Sequence, residues 1–209
     1  MDFLELDQRV MKLLASGQFD SAEAELHQAR LQASERADRY TLEQVLSSLV
    51  ELYCTMQPSD LTKAESYSLE RERISGTGQA KLETAMLLYW SMHNPSRTVT
   101  KVQEAITAAS QERDDMTVYQ SFGLLGLALL DLHQNEEAAR ILGEIEKMVA
   151  AHLRIVVGDE TLFLERLFAQ TKEAQTRTTI QRIAKILWPV CREPRFTARL
   201  KTLADAQVS

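Results

Sequence analysis

Proline and glycine are scarce in this chain, with 4 and 7 among 209 residues. Proline fixes φ and removes a donor, while glycine supplies positive φ. A chain so short of both cannot build the many tight turns of a β-rich meander. Cysteine is almost absent. Cys54 and Cys191 lie far apart, each inside a helical pattern, which reads as two buried thiols and no disulfide. No apolar run approaches the roughly 18 residues of a membrane span, so no membrane partner is expected. The first residues, Met1-Asp2-Phe3-Leu4-Glu5, lack the basic start of a secretory signal, and a cytoplasmic location follows by default.

The usual carriers of chemistry are missing as well. Of the four histidines, His27, His93, His133 and His152, none is spaced H-x3-H or stands near a cysteine, so no metal site is expected. His93 and His133 each close a helix, where the dipole favours an imidazolium. Gly76-Thr77-Gly78 lacks the third glycine and the lysine of a phosphate-binding loop, and reads as a break between Ile74 and Leu82. There is no G-x-S-x-G elbow. The acid pairs Asp114-Asp115 and Glu136-Glu137 fit helix N-termini without acid–base work. No catalytic residue, cofactor or metal is expected, and the protein is read as not an enzyme.

What the chain does have is helix formers. Leu, Ala, Glu, Gln and Arg dominate, which predicts an all-α protein. Four turn signals recur at similar intervals: Ser16-Gly17-Gln18, Gln57-Pro58-Ser59, Asn94-Pro95-Ser96 and His133-Gln134-Asn135. Each is preceded by an apolar stripe at i, i+3, i+4 and i+7. Leu46, Leu49, Val50 and Tyr53 form one; Leu82, Ala85, Met86 and Tyr89 another; Phe122, Leu125, Gly126 and Leu129 a third. Leu6, Val10 and Leu13 give a weaker first copy, with Arg9 at an apolar position. After the turns come Ala22-Leu26-Ala29, Val102-Ile106-Ala109 and Ala138-Leu142-Ile145, with Asp20 as an N-cap candidate. The small or β-branched residues Ala22, Ala64, Val102 and Ala138 allow close helix approach. Ala64-Ser68-Arg71 fits the stripe poorly and suggests rotation toward Tyr67 and Ile74.

These residues resemble the tetratricopeptide repeat, W-x2-L-G-x2-Y followed by a small, a large and a small residue. The best copy is Phe122-x2-Leu125-Gly126-x2-Leu129 with Ala138, Leu142 and Ile145. The anchors Leu13, Tyr53, Tyr89 and Leu129 are 40, 36 and 40 residues apart, against about 34 in the family, and Ala150 replaces the closing proline. The resemblance implies a right-handed helical-hairpin solenoid, with four hairpins over residues 1–152. Residues 153–209 then supply a fifth hairpin and a capping helix on the same solenoid. In that last part, Leu153-Arg154-Ile155-Val156-Val157 reads as a helix end or connector. Asp159 and Thr161 are N-cap candidates for a helix with Leu164, Leu167 and Phe168. Ile180, Ile183, Ala184 and Leu187 follow, and then Phe196, Leu200 and Leu203.

The resemblance further implies a concave groove lined by first helices. Its positions fall on Gln44, Ser48, Glu51 and Thr55, on Glu83, Thr84, Leu87 and Trp90, and on Gln120, Leu124, Leu127 and Asp131. This wall is acidic and turns apolar toward Leu124 and Leu127. Trp90 is either an anchor for a ligand or a core side chain between hairpins. The implied function is a scaffold or adaptor that holds a partner peptide or helix with a basic or neutral segment. A regulatory module sensing a ligand or peptide in a bacterial signalling system is the alternative, and a homodimer through the apolar end of the stack is a further one. Charge is uneven: residues 1–176 sum to −11 and residues 177–209 to +5. That basic end could meet nucleic acid, but its cations are scattered among apolar residues, so a solvated cap is the expected role.

Overall fold

The structure, a computed structural model, describes residues 3–151 and 158–206, and among them it contains eleven α-helices and no strand. His152 and the connector 153–157 lie outside the described residues. The chain divides into two compact units, Met1–His93 and Asn94–Ser209.

The first unit holds α1 (Phe3–Ala15), α2 (Phe19–Glu35), α3 (Arg39–Thr55), α4 (Leu61–Ser75) and α5 (Gly78–Met86), the last continued by a π-helical turn, Leu87–Ser91. Each helix packs on the next, and α1 also reaches α3. Helices meeting only their nearest and next-nearest neighbours form a stack, not a bundle around one axis. The core is the expected set of stripes: Leu6 and Val10; Ala22, Leu26 and Ala29; Leu46, Leu49 and Tyr53; and Ala64, with Leu87 joining them. Arg9, the misfit in the first stripe, points outward and pairs with Glu25 at 3.0 Å.

Helix α4 keeps the stripe that suggested rotation. Ala64, Ser68 and Glu72 are its buried residues, while Tyr67 and Ile74 are only partly buried. The stripe is polar because its neighbour α5 is polar too. Ser68 Oγ lies 2.8 Å from Thr84 Oγ1, Arg71 pairs with Glu83, and Lys81 Nζ pairs with Glu72 at 3.3 Å. Gly76, at φ 67°, ends α4 in the left-handed conformation that a side chain disfavours, and Thr77 Oγ1 then accepts from Ala80 N to start α5. The G-x-G is therefore a helix break, as its spacing predicts.

The second unit contains α6 (Pro95–Glu112), α7 (Asp115–Asp131), α8 (Asn135–Ala150), α9 (Gly158–Gln170), α10 (Ala174–Leu187) and α11 (Pro194–Asp205). Helix α7 packs against α6, α8 and α9; α8 meets α10, and α9 meets α11. First helices thus stack on first helices and second on second, the helical-hairpin solenoid arrangement. Gly126, the glycine of the repeat motif, serves the α7–α9 contact: a Cβ there would lie 2.5 Å from Cδ2 of Phe163. Phe163 is fully buried, although its position gave no warning of that importance. Phe122, which stands at the motif's tryptophan position, is only half-buried.

Two caps differ from the sequence expectation. Helix α2 starts at Phe19 with Gln18 as N-cap, so Asp20 lies inside the first turn. Gly17, at φ 74°, reverses the chain early enough for the helix to begin before the aspartate. Asp159 and Thr161 likewise lie inside α9, with Thr161 buried, because the helix is already under way at Gly158. Among the described residues, side-chain caps are made by Asp38, Asp60, Thr77, Asn94 and Asp114, each accepting from the backbone N–H three residues on.

Candidate partner-binding surface

On α3 the stripe Gln44, Ser48, Glu51 and Thr55 recurs every three to four residues, opposite the core residues Leu46, Leu49 and Tyr53. Gln44 and Ser48 are half-buried, and Glu51 and Thr55 are exposed. The hydroxyls turn back on their own helix: Ser48 Oγ donates to Gln44 O at 3.2 Å and Thr55 Oγ1 to Glu51 O at 2.9 Å. Glu51 makes no ion pair among the described residues, so its charge is directed to solvent.

The π-helical turn after α5 carries Leu87 and Trp90. An extra residue per turn shifts the side chains that follow, and such turns often accompany functional sites. Here Leu87 points into the core beside Leu46 and Leu49, whereas Trp90 stands 43% exposed. The Trp90 ring meets Tyr89 edge-on, with centroids 4.7 Å apart. Trp90 is thus a partly exposed aromatic and no core side chain. Burial pushes the Cys54 thiol up. Both cysteines are half-buried and free.

The remaining groove positions do other work. Thr84 is fully buried against Ser68, and Glu83 is held by Arg71. In the second unit, Leu124 and Leu127 are fully buried, Gln120 is half-buried, and Asp131 is paired with Arg166 at 2.5 Å. Leu124 and Leu127 are interior side chains and do not line an apolar wall. The reason is the helix itself: α7 is apolar on every side from Gly123 to Leu130 and has neighbours on three flanks. His93 and His133 follow their helices at φ 49° and 58°, as exposed turn residues.

A second polar group spans α2, α3 and α4. Tyr53 donates from its hydroxyl to Glu23 Oε1, with Lys63 Nζ 3.5 Å from the same oxygen and His27 Nε2 3.4 Å from the tyrosine hydroxyl. That hydrogen bond, with Lys63, holds the Glu23 carboxyl below its ordinary range, and burial raises the Tyr53 hydroxyl well above its own. Tyr67 stacks on Tyr53 at 5.6 Å, and Arg30 pairs with Glu70 at 2.8 Å. Every charge here has an internal partner, so the group joins helices and offers little to a ligand.

No protein-family model matches the chain, and no curated protein matches it by sequence. Among solved structures it is similar to PilW, described as a widely conserved type IV pilus biogenesis factor. The TM-score is 0.51 at 13% identity, over 97% of this chain and 93% of that one. An identity so low speaks for the fold alone. Together with the stacked hairpins, it shows an all-α, tetratricopeptide-like helical-repeat fold.

Proposed function

We propose that the chain is a protein-interaction module, an adaptor without catalysis of its own, and that it holds a partner segment on the first unit. The carrying observation is Trp90, a large aromatic that stands 43% exposed in the π-helical turn, next to the buried Leu87, Leu88 and Tyr89. A rigid aromatic at such a place supplies much of the binding energy in many interfaces. In the same unit, on α3, Glu51 and Thr55 present an acid and a hydroxyl to solvent. The first unit as a whole carries 15 acidic and 9 basic residues, which favours a partner segment that is basic or neutral.

This reading differs from the groove implied by the repeat motif. It draws only on α3 and the π-helical turn and leaves out Thr84, Leu124 and Leu127. The test is affinity capture from the native host with the full chain, compared with Trp90→Ala and Glu51→Lys. Both variants should keep the fold, because both side chains are exposed, and both should lose the same partner. Retention of every captured protein by both variants would remove this surface from consideration.

A further inference from the structure

The end of the second unit carries a surface that the adaptor reading does not use. Between Arg182 and Lys201 the chain has six basic residues and a single acid, Glu193. Three of the cations are committed. Arg182 pairs with Glu146 at 3.0 Å, Arg199 with Glu165 at 3.1 Å, and Arg195 with Glu193 at 3.3 Å. Lys185, Arg192 and Lys201 are exposed and make no ion pair among the described residues.

Apolar side chains stand among these three. Ile186 is 40% exposed on the last turn of α10, Trp188 and Val190 are half-buried just beyond it, and Pro189 is exposed. Lys201 Nζ lies 5.9 Å from the Trp188 ring centroid, which brings α11 over the turn. The turn is also fixed: Thr197 Oγ1 donates to Cys191 O at 3.1 Å, and Cys191 N donates to Leu187 O at 3.1 Å.

We propose that this hairpin tip is a peripheral contact for an anionic lipid surface, with Ile186 and Trp188 at the headgroup boundary and Lys185, Arg192 and Lys201 on lipid phosphates. Tryptophan is at home at that boundary, where one part of the ring is dry and the other wet, and lysine stems lie along apolar surface while their charges reach the phosphates. Two other partners fit less well. A nucleic-acid strand stacks its bases on open aromatic faces, but Trp188 is half-buried and is the single ring among these cations besides the half-buried Phe196. An acidic helix needs apolar anchors three or four residues apart along a groove. Ile186 and Trp188 are two apart, at a helix end. No helix among the described residues is long and apolar enough to cross a membrane, so the contact is with its surface.

The test uses the full chain carrying Trp90→Phe, which leaves Trp188 as the single tryptophan. It is mixed with vesicles of phosphatidylcholine and phosphatidylglycerol in equal parts, with vesicles of phosphatidylcholine alone, with polyglutamate, and with duplex DNA. The expected result is sedimentation with the anionic vesicles, a blue shift of Trp188 emission, and loss of both at high salt. Replacing Lys185, Arg192 and Lys201 together by Gln should weaken vesicle binding roughly a hundredfold, since each cation near an anionic surface contributes about fivefold. Circular dichroism should be unchanged, because all three are exposed. Equal binding to neutral vesicles, an unmoved Trp188 spectrum, or undiminished binding by the triple variant would overturn the assignment. Binding to polyglutamate or DNA in place of vesicles would overturn it too, and would give the patch to an acidic polypeptide or a nucleic acid.

Discussion

A methyl group at Gly126 would fall 2.5 Å from Cδ2 and 2.6 Å from Cε2 of Phe163, inside a contact with no slack. Gly126→Ala is therefore expected to destabilise the protein by about 1–3 kcal/mol, the cost of overpacking, read as a lower urea midpoint. Gly143, inside α8, meets nothing within 4 Å of its would-be Cβ. Gly143→Ala should move the midpoint the other way, by about 0.5–1 kcal/mol, through helix propensity alone. The opposite signs test the geometry, since both are glycine-to-alanine changes within helices. Titration gives a further check at this scale. The Glu23 carboxyl is depressed below its ordinary 4.5, chiefly by the Tyr53 hydroxyl. A depressed acid contributes stability above its unfolded pKa and loses it as pH falls through the folded one. Wild type and Glu23→Gln should thus differ at neutral pH by up to about 1 kcal/mol and converge well below pH 4.5. A constant gap across that range would show that the carboxylate charge is not involved.

Between elements, the informative contact is α4 on α5. Most neighbouring helices in the first unit meet through leucine, alanine and tyrosine, but this pair meets through Ser68–Thr84, Arg71–Glu83 and Glu72–Lys81. The two ends of the Arg71–Glu83 pair are not equivalent. The Arg71 side chain is 17% exposed and burial lowers its pKa, while Glu83 keeps 34% of its surface in solvent. Glu83→Leu would strand a poorly hydrated guanidinium, whereas Arg71→Met leaves a carboxylate that water can reach. The first should cost more, on the order of 2 kcal/mol, somewhat below the range for fully buried pairs. Equal losses in chemical denaturation would mean that solvent already screens both groups. The sequence hinted at this interface, because Ser68 and Arg71 fall on the stripe begun by Ala64. Rotation toward Tyr67 and Ile74 was the natural inference from one helix viewed alone. Tyr67 and Ile74 do pack against the core, while Ser68, Arg71 and Glu72 meet the polar face of α5 that carries Lys81, Glu83 and Thr84.

At the scale of the molecule, stability is divided between two compact units, each built from contacts between helices close in sequence. Nearest-neighbour packing lets one region open without the rest. Leu49→Ala, a truncation at a fully buried site of the first unit, should cost about 2–5 kcal/mol and raise amide exchange mainly in residues 3–93. An equal rise in α8–α11, followed by mass spectrometry, would show that the two units unfold as one.

The sequence determined the helices and most of the core. Scarce glycine and proline, four spaced turns and stripes at i, i+3, i+4 and i+7 are local properties, and Leu46, Leu49, Tyr53, Ala138 and Ile145 lie buried where those stripes put them. Which face of a helix remains open was decided only by the tertiary structure. Leu124 and Leu127 occupy groove positions that the repeat resemblance implies yet are interior, because α7 has helices on three flanks. Trp90 took the opposite course and stands in solvent with Met86, one turn before it, although Met86 falls on the apolar stripe. Periodicity fixes a side chain's angle around its own helix axis; how many neighbours surround that axis depends on contacts between distant parts of the chain.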